Sequence, residues 1–363
     1  MLKLIKKIEL EFSEQVHLLE RENHILREIF WETTLRCNAK CKHCGSSAGG
    51  TNYPDELTTQ EIKDFFKQTA KDFNANTIWL DITGGEPLLR QDLFEVMEYV
   101  TSLGFRWGMT TNGMLITDDV VSKMEKTHLE SISISIDGLE KTHDEFRKVK
   151  GSFKKIVEGI KKLQKADFLK VLTVTTVVSK ENISELHDIY NFLVDLGIKR
   201  WRIMSVDPIG RTTNDMLLDS KETKEVLDFI KENRNKKITI VYGCPSFLGM
   251  DYEKEVRDGF FYCRTGINIA SILYNGDIFV CPNVPRIPRL IQGNIRDDNF
   301  KDIWDNKFEE FRKRDLLKCD MCENCKYYSF CQGGSYHTWD FENNKQNRCV
   351  YQMLKENTNE KNN

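Results

Sequence analysis

The sequence predicts an α/β fold in which a parallel sheet curves into a partial, TIM-like (β/α)6 barrel. Segments with strand-like composition alternate with amphipathic helical segments, and six strands are fewer than the eight that close a barrel. The predicted strands are 29–34, 77–82, 105–110, 131–136, 171–178 and 200–205. The predicted helices are 58–73, 91–103, 118–127, 153–165 and 182–196. Thr58 with Glu61 has the pattern of a capping box, and Asn182 with Glu185 gives a similar helix-start signal.

Changes in composition and in element length along the chain predict five regions. Residues 1–28 are charged with loosely helical apolar spacing, which predicts a short helix or hairpin that packs on the barrel. After Cys263 the elements shorten and cysteines become frequent, as in a small domain stabilised by metal. The predicted division is a lead-in at 1–28, the barrel at 29–205, a bridge at 206–242, a cysteine-rich domain at 243–355 and a disordered tail at 356–363.

Composition argues against nucleic acid and membranes as partners. The chain has 363 residues, 40% hydrophobic and 30% charged, with a formal net charge of −3. Such a balance gives no basic field for nucleic acid or an anionic lipid surface. No apolar run reaches the ~18 residues of a membrane span, and the N-terminus lacks the apolar core of a signal peptide. We expect a cytoplasmic protein.

The eleven cysteines fall into two groups. Three lie between Cys37 and Cys44, and none lies in the roughly two hundred residues that follow. The eight downstream cysteines are Cys244, Cys263, Cys281, Cys319, Cys322, Cys325, Cys331 and Cys349. Thiols that serve as small apolar residues would scatter, and a chain without a secretion signal does not favour disulfides. The grouping predicts metal binding in a reducing compartment.

The first group, Cys37-x3-Cys41-x2-Cys44, directly follows the first predicted strand. Three thiolates are one too few for a closed zinc site or for a cubane with a thiolate on every iron. An iron–sulfur cluster held by three thiolates therefore leaves one iron free to bind another molecule. Zinc and unrelated reduced thiols remain alternatives.

Two motifs together resemble the signature of radical S-adenosylmethionine (SAM) enzymes. One is the cysteine spacing above, with His43 just before its third cysteine. The other is Gly84-Gly85-Glu86-Pro87, which follows the second strand and resembles the GGEP motif of these enzymes. Both lie at carboxyl ends of strands, where parallel barrels place their active sites.

The resemblance implies a [4Fe–4S] cluster on the three cysteines of the first group, with SAM on its open iron. An external donor of the flavodoxin or ferredoxin type would reduce the cluster, and the resulting 5′-deoxyadenosyl radical would take a hydrogen atom from the substrate. The implied SAM-binding residues are His43, Gly84, Gly85, Glu86, Pro87, Asn112, Ser135, Asp137 and Arg147. Glu86 would accept from the SAM ammonium, Ser135 and Asp137 would bind the ribose, and Arg147 would lie near the carboxylate. A simple turn at Asn112 and a surface position for Arg147 are the alternatives.

The downstream spacing is Cys263-x12-Gly276-x4-Cys281, then Cys322-x2-Cys325-x5-Cys331 and finally Cys349. This order resembles the SPASM domain, which holds up to two auxiliary [4Fe–4S] clusters. The implied ligands of one complete site are Cys322, Cys325, Cys331 and Cys349. Cys263 and Cys281 belong to a second site that is incomplete, because Ser335 stands where the pattern places a cysteine. Cys244 and Cys319 would complete it; a single auxiliary cluster with idle thiols, or zinc, are the alternatives.

The leading functional hypothesis is a peptide-maturing radical SAM/SPASM enzyme that installs a cross-link or epimerises a residue. Alternatives are an anaerobic sulfatase-maturing enzyme, a small-molecule dehydrogenase or haem-pathway decarboxylase, and a non-catalytic electron carrier. Pro282 counts against the sulfatase-maturing group, which has an aspartate there. No general acid or base is assigned. Asp207, Arg211, Tyr336 and His337 could approach the substrate, although packing roles are expected for them.

Overall fold

A ten-stranded sheet forms the centre of the protein in the computed structural model, which describes residues 2–243, 246–314 and 318–359. Its seven consecutive parallel strands are β1 (Glu28–Glu32), β2 (Trp79–Thr83), β3 (Arg106–Thr111), β4 (Ser131–Ser135), β5 (Val171–Val178), β6 (Arg200–Ser205) and β7 (Thr239–Tyr242). They lie side by side in chain order. The predicted α/β class is therefore confirmed, and the six predicted strands all form within two residues of their expected bounds.

Helices connect these strands and precede the first of them. They are α1 (Leu2–Asn23), α2 (Thr59–Asp72), α3 (Leu93–Ser102), α4 (Asp118–Lys126), α5 (Glu140–Arg147), α6 (Ser152–Ala166), α7 (Leu186–Asp195) and α8 (Ser220–Asn233). The predicted capping box forms, because Thr58 and Glu61 exchange side-chain and backbone hydrogen bonds. The predicted helix start is confirmed, because Asn182 is the N-cap residue of a 3-10 turn, Ile183–Glu185, that leads into α7. Its side-chain amide does not cap this turn but donates to the carbonyls of Asp137 and Val177, at 2.7 and 2.9 Å, and so supports the end of β4.

Alternation along β4 places polar and apolar side chains on opposite faces. Ile132 and Ile134 are fully buried, whereas Ser133 and Ser135 are half-buried. Successive side chains of a strand point to opposite faces, so the isoleucines join the main apolar core while the serines line the other face. The Ser133 hydroxyl lies 2.8 Å from that of Thr175 on β5. This face stays polar up to the carboxyl end of the strand.

The sheet continues beyond the predicted barrel on both sides. The segment predicted as a bridge contributes β7, which pairs in parallel with β6. On the other side β8 (Ile269–Ile272) pairs in parallel with β1, and β9 (Asp277–Phe279) and β10 (Gly293–Asn294) follow in antiparallel order. Strands from the cysteine-rich segment therefore extend the barrel sheet, which has more strands than the six predicted.

The cysteine-rich segment is otherwise built from short elements. They are α9 (Glu253–Val256), α10 (Phe300–Lys307), α11 (Glu309–Lys313), α12 (Asp320–Glu323), α13 (Tyr328–Cys331), β11 (Trp339–Asp340), β12 (Lys345–Gln346) and α14 (Val350–Asn359). The last helix enters the segment predicted to be disordered, so that prediction was wrong up to Asn359. Residues 360–363 and Cys244 lie outside the described residues.

Helix α1 packs on the cysteine-rich segment, not on the barrel as predicted. Arg264 pairs with Glu20 at 3.0 Å, and the His17 ring stacks on Tyr262 with centroids 3.9 Å apart. The helical alternative for this segment is correct. Within the described part of the chain, none of the helices combines the length and apolar character required to cross a bilayer.

We expect a chain that ends at residue 243 to lose soluble expression and a cooperative urea transition. Without β8, strand β1 would present an unpaired edge, which favours aggregation. Solubility and urea unfolding of the metal-free chain measure the effect, and a chain that ends at Asn359 is the matched control. A cooperative transition in the 1–243 chain would show that the sheet does not depend on β8.

Candidate active site

The first cysteine group forms a loop at the carboxyl end of β1. The backbone N–H of Cys44 donates to the carbonyl of Cys41 at 3.4 Å, and that of Ser47 donates to the carbonyl of Cys44 at 3.2 Å. These turns bring the thiols of Cys37, Cys41 and Cys44 within electrostatic reach of one another. Burial raises the pKa of Cys37 to about 11. In the metal-free chain this thiol is therefore protonated at neutral pH.

The two glycines of the second motif press against the backbone that leads into the cysteine loop. Gly85 N–H donates to the carbonyl of Thr34 at 2.7 Å, and Glu86 N–H donates to that of Arg36 at 2.9 Å. A Cβ atom would lie 2.4 Å from the Thr34 oxygen at Gly84 and 2.2 Å from the Arg36 oxygen at Gly85. The glycines are thus required by a contact between two main chains.

Glu86 is fully buried and joins the ends of β2 and β3. Its carboxylate accepts from the Thr111 hydroxyl at 2.7 Å, the Asn112 N–H at 2.8 Å and the Leu88 N–H at 3.1 Å. Burial raises the pKa of Glu86, and these hydrogen bonds oppose the rise. A carboxylate has about four acceptor positions, so one remains for the expected SAM ammonium group. Pro87 begins a short 3-10 turn and is buried.

Asn112 links the end of β3 to the cysteine loop. Its Nδ2 donates to Asn38 Oδ1 at 2.7 Å and lies 4.0 Å from Cys37 Sγ. Its Oδ1 accepts from the backbone N–H of Met114 at 3.0 Å, and Gly113 has a φ of +78°. The Asn-Gly turn is therefore present, and its asparagine side chain also contacts the cysteine loop.

Arg147 and Asp137 form a buried ion pair beside the second cysteine. Arg147 Nε donates to Asp137 Oδ2 at 2.6 Å, and its Nη1 lies 3.6 Å from Cys41 Sγ. The backbone N–H of Val177 donates to Asp137 Oδ1 at 2.9 Å. Burial opposes ionisation of Asp137, but Arg147, the two neighbouring histidine rings and the Val177 N–H together outweigh it and hold the pKa of Asp137 below its usual value. Arg147 is 8% exposed, so the surface alternative is wrong.

His43 lies over α5, next to this ion pair. Its ring stacks on Phe146 with centroids 4.5 Å apart, and its Nε2 is 3.9 Å from Asp137 Oδ2. Burial lowers the pKa of His43 to about 4, so the ring is neutral at pH 7. Its buried Nδ1 has no hydrogen-bond partner among the described residues. Ser135 ends β4 on the same polar face, opposite Thr175 in the register.

A loop after β6 covers the cysteine loop. Arg211 donates from Nε to the Cys41 carbonyl at 2.9 Å and from Nη1 to the Ala48 carbonyl at 2.6 Å. A Cβ atom at Gly210 would lie 2.2 Å from the Cys44 oxygen. The sequence could not show this contact, because nothing local relates Arg211 to residues more than 160 positions earlier.

The complete downstream site is a cavity between α12, α13 and the start of α14. Its four cysteines are Cys322, Cys325, Cys331 and Cys349, and aromatic, glutamine, methionine and glycine residues form the rest of the wall. Cys319 Sγ lies 3.8 Å from Cys322 Sγ. Cys319 thus belongs to this group, and the expectation that it completes the other site is wrong.

The second downstream site contains two buried cysteines and a histidine. The Thr265 hydroxyl is within hydrogen-bonding reach of both Cys263 and Cys281, and Cys281 Sγ lies 3.3 Å from His337 Nε2. Ser335 is buried, and its hydroxyl accepts from the His337 N–H at 3.1 Å. In the parts of the chain that the structure describes, no three His, Cys, Asp or Glu side chains converge tightly enough to hold a single metal ion.

Comparisons with known proteins identify the family. A model described as the radical SAM superfamily matches residues 31–193, and an iron–sulfur cluster-binding (SPASM) model matches residues 263–326. An AdoMet-dependent heme synthase from Methanosarcina barkeri is 30% identical over 345 residues, which cover 90% of this chain and 96% of that protein. The chain belongs to the radical SAM superfamily. Radical SAM and SPASM proteins bind [4Fe–4S] clusters.

Two further likenesses are to a maturase and to a structure that contains AdoMet and a peptide. Mycofactocin maturase MftC from Mycolicibacterium smegmatis is 27% identical, over 84% of this chain and 77% of that protein. The structure of anSMEcpe with bound AdoMet and the Cp18Cys peptide has a TM-score of 0.70 at 19% identity, covering 91% of this chain and 95% of that one. The second likeness shows a common fold.

The residues of this radical SAM chain fit the groups that its family binds. Three cysteines on one loop suit a cluster with one open iron. The orphaned Nδ1 of His43 offers a hydrogen-bonding position beside the buried charges of Asp137 and Arg147. Buried polar atoms normally have partners, so a bound molecule would satisfy a group that the protein leaves unpaired.

We expect Gly85→Ala to lower the free energy of unfolding of the metal-free chain by about 1–3 kcal/mol, because its Cβ cannot fit beside the Arg36 carbonyl. Urea unfolding measures the change. Gly259→Ala is the matched control, since a Cβ there meets nothing within 4 Å. Equal stability of the two variants would contradict the proposed main-chain contact.

Proposed function

We propose that this radical SAM chain binds its SAM-dependent [4Fe–4S] cluster through Cys37, Cys41 and Cys44. One observation supports the proposal: the cysteine loop lies beside two buried polar networks, with Asn112 Nδ2 4.0 Å from Cys37 Sγ and Arg147 Nη1 3.6 Å from Cys41 Sγ. The sequence has no other cysteine before Cys244. The cluster then has one iron without a thiolate, where SAM can bind. With both groups bound, the site supplies a 5′-deoxyadenosyl radical that takes a hydrogen atom from a substrate C–H bond.

The protein's own part is to orient these groups and to exclude water. Arg147 places a positive charge 3.6 Å from Cys41 Sγ, which favours the thiolate that a metal requires. Glu86 has one acceptor position left for the SAM ammonium group, and His43 Nδ1 is available to the adenine. Because Glu86 and Asp137 are fully buried, their charges act in a medium of low polarity and interact strongly with a ligand.

We infer that Cys322, Cys325, Cys331 and Cys349 hold an auxiliary [4Fe–4S] cluster. Their cavity supports this assignment, since all four thiols line one space. An auxiliary cluster suits an oxidative reaction, because the substrate radical must lose an electron once its new bond forms. An external protein of the flavodoxin or ferredoxin type would supply the electron that starts each turnover.

The substrate class that we favour is a haem precursor. The supporting observation is the 30% identity with an AdoMet-dependent heme synthase along 96% of that protein's length. An Fe-coproporphyrin III synthase from the same organism is also similar, at 27% identity. The reaction would belong to the haem-pathway alternative that the sequence left open.

A peptide is the second candidate substrate. It is favoured by the likeness to mycofactocin maturase and by a shared fold with a peptide-bound structure. Cross-linking or epimerisation of a precursor peptide would use the same two cysteine sites. The peptide hypothesis therefore differs from the first in substrate and not in the way that the radical arises.

Radical formation is tested after anaerobic reconstitution with iron and sulfide, followed by SAM and dithionite. We expect 5′-deoxyadenosine from the parent chain and none above background from Cys37→Ala/Cys41→Ala/Cys44→Ala, because the variant cannot hold the cluster. Iron analysis of that variant should show the auxiliary iron retained. Equal amounts of 5′-deoxyadenosine from the parent chain and the triple variant would exclude the radical SAM enzyme and favour an electron carrier. A protein that contains zinc and no sulfide would exclude the cluster assignment.

The substrate is tested by adding Fe-coproporphyrin III to the reconstituted parent chain. We expect the rate of 5′-deoxyadenosine formation to rise several-fold and mass spectrometry to show a porphyrin of lower mass. The cysteine triple variant is the control. An unchanged rate with Fe-coproporphyrin III, together with a mass change in a peptide encoded beside the gene, would overturn the haem assignment in favour of the peptide.

A further inference from the structure

We propose that His337 joins Cys263 and Cys281 as a ligand of a second auxiliary iron–sulfur cluster. The proposal rests on the cluster-binding function proposed above and adds a ligand that is not a cysteine. Histidine is an established ligand of iron in such clusters, as in centres where imidazoles replace thiolates.

The sequence shows why a substitute ligand is required. Ser335 occupies the position where the SPASM pattern has a cysteine, and a neutral hydroxyl is a much poorer ligand for this type of iron than a thiolate or an imidazole. The Ser335 hydroxyl instead accepts from the His337 N–H at 3.1 Å and caps the turn Tyr336–Thr338. Ser335 thus fixes the turn that carries His337.

The geometry brings the three donors to one place. His337 Nε2 lies 3.3 Å from Cys281 Sγ, and the Thr265 hydroxyl reaches the sulfurs of both Cys281 and Cys263. Both cysteines are buried, at 5% and 7% exposure.

A buried positive charge beside this site is the second, independent observation. Arg314 is 2% exposed, and its guanidinium donates to the carbonyls of Cys263 at 3.2 Å and Gly334 at 2.5 Å. It also lies over the rings of Tyr262 and Tyr336, at 5.5 and 5.0 Å.

Arg314 forms no ion pair with a carboxylate among the described residues, and its Nε has no hydrogen-bond partner there. A buried guanidinium without a counter-charge is costly. The thiolate of Cys263 and, once it is reduced, the [4Fe–4S] cluster that this thiolate binds would supply negative charge beside the guanidinium. The arginine and the histidine therefore point to the same occupant.

Pulsed electron paramagnetic resonance tests the ligand directly. The reconstituted full chain carrying Cys37→Ala/Cys41→Ala/Cys44→Ala is reduced with dithionite without SAM, so that neither the first cluster nor the SAM amine contributes. We expect a strong ¹⁴N coupling that disappears in His337→Ala and in His337→Cys. His187→Ala is the matched control, because this exposed ring lies on α7 far along the chain, and it should leave the coupling unchanged.

Iron content gives a second readout that does not depend on the histidine signal. His337→Ala should lose as much iron as Cys281→Ala, and the double variant should lose no more than either single variant, because all remove one cluster. His337→Cys should restore the iron, since a thiolate can replace the imidazole. These comparisons separate loss of a ligand from general misfolding, which would also release iron from the site of Cys322.

Two results would overturn the proposal. One is the absence of ¹⁴N coupling in the triple cysteine variant that retains His337. The other is an unchanged iron content when Cys263→Ala/Cys281→Ala is added to that variant. If the chain with an intact first site still forms 5′-deoxyadenosine, the first result removes His337 as a ligand, the second removes the second auxiliary cluster, and both leave the proposed radical function standing. Absence of 5′-deoxyadenosine from that chain would instead overturn the proposed function.

Discussion

The contact on which the rest of the site depends is the close approach of two main chains, at Thr34–Arg36 and Gly84–Glu86. Two backbone hydrogen bonds close it, at 2.7 and 2.9 Å, and no side chain larger than hydrogen fits at either glycine. Because parallel strands end at the same edge of the sheet, this contact fixes the cysteine loop relative to β2. Every other group of the site is positioned from these two segments.

From this contact a connected polar network spreads over the strand ends. Glu86 connects β2 with β3 through hydrogen bonds to Thr111 and Asn112, and the Asn112 side chain donates a further hydrogen bond to the cysteine loop. The ion pair between Arg147 and Asp137 adds the end of β4 to the network, and the Arg147 guanidinium also contacts Cys41. Buried polar groups are costly unless paired, so the network holds together as a unit. The unpaired nitrogen of His43 is the place where a ligand can add to it.

The cysteine-rich segment is joined to the barrel by hydrogen bonds of the sheet. Strand β8 pairs with β1 directly below the cysteine loop, and Arg286 forms an ion pair with the buried Glu32 at the end of β1. This pairing would hold the proposed auxiliary sites at a fixed position relative to the proposed radical site.

The sequence by itself determined the elements, the three-cysteine loop and the family, because these depend on short-range patterns. Six strands appear close to their predicted bounds, and Ser133 and Ser135 occupy the predicted polar face. Tertiary structure alone decided that β8 pairs with β1, that Cys319 joins Cys322, and that the Asn182 side chain supports the end of β4. The same holds for the meeting of His337 with Cys281 and for the burial of Arg314. Each of these contacts joins residues that local periodicity does not relate, and packing of the whole chain selects them.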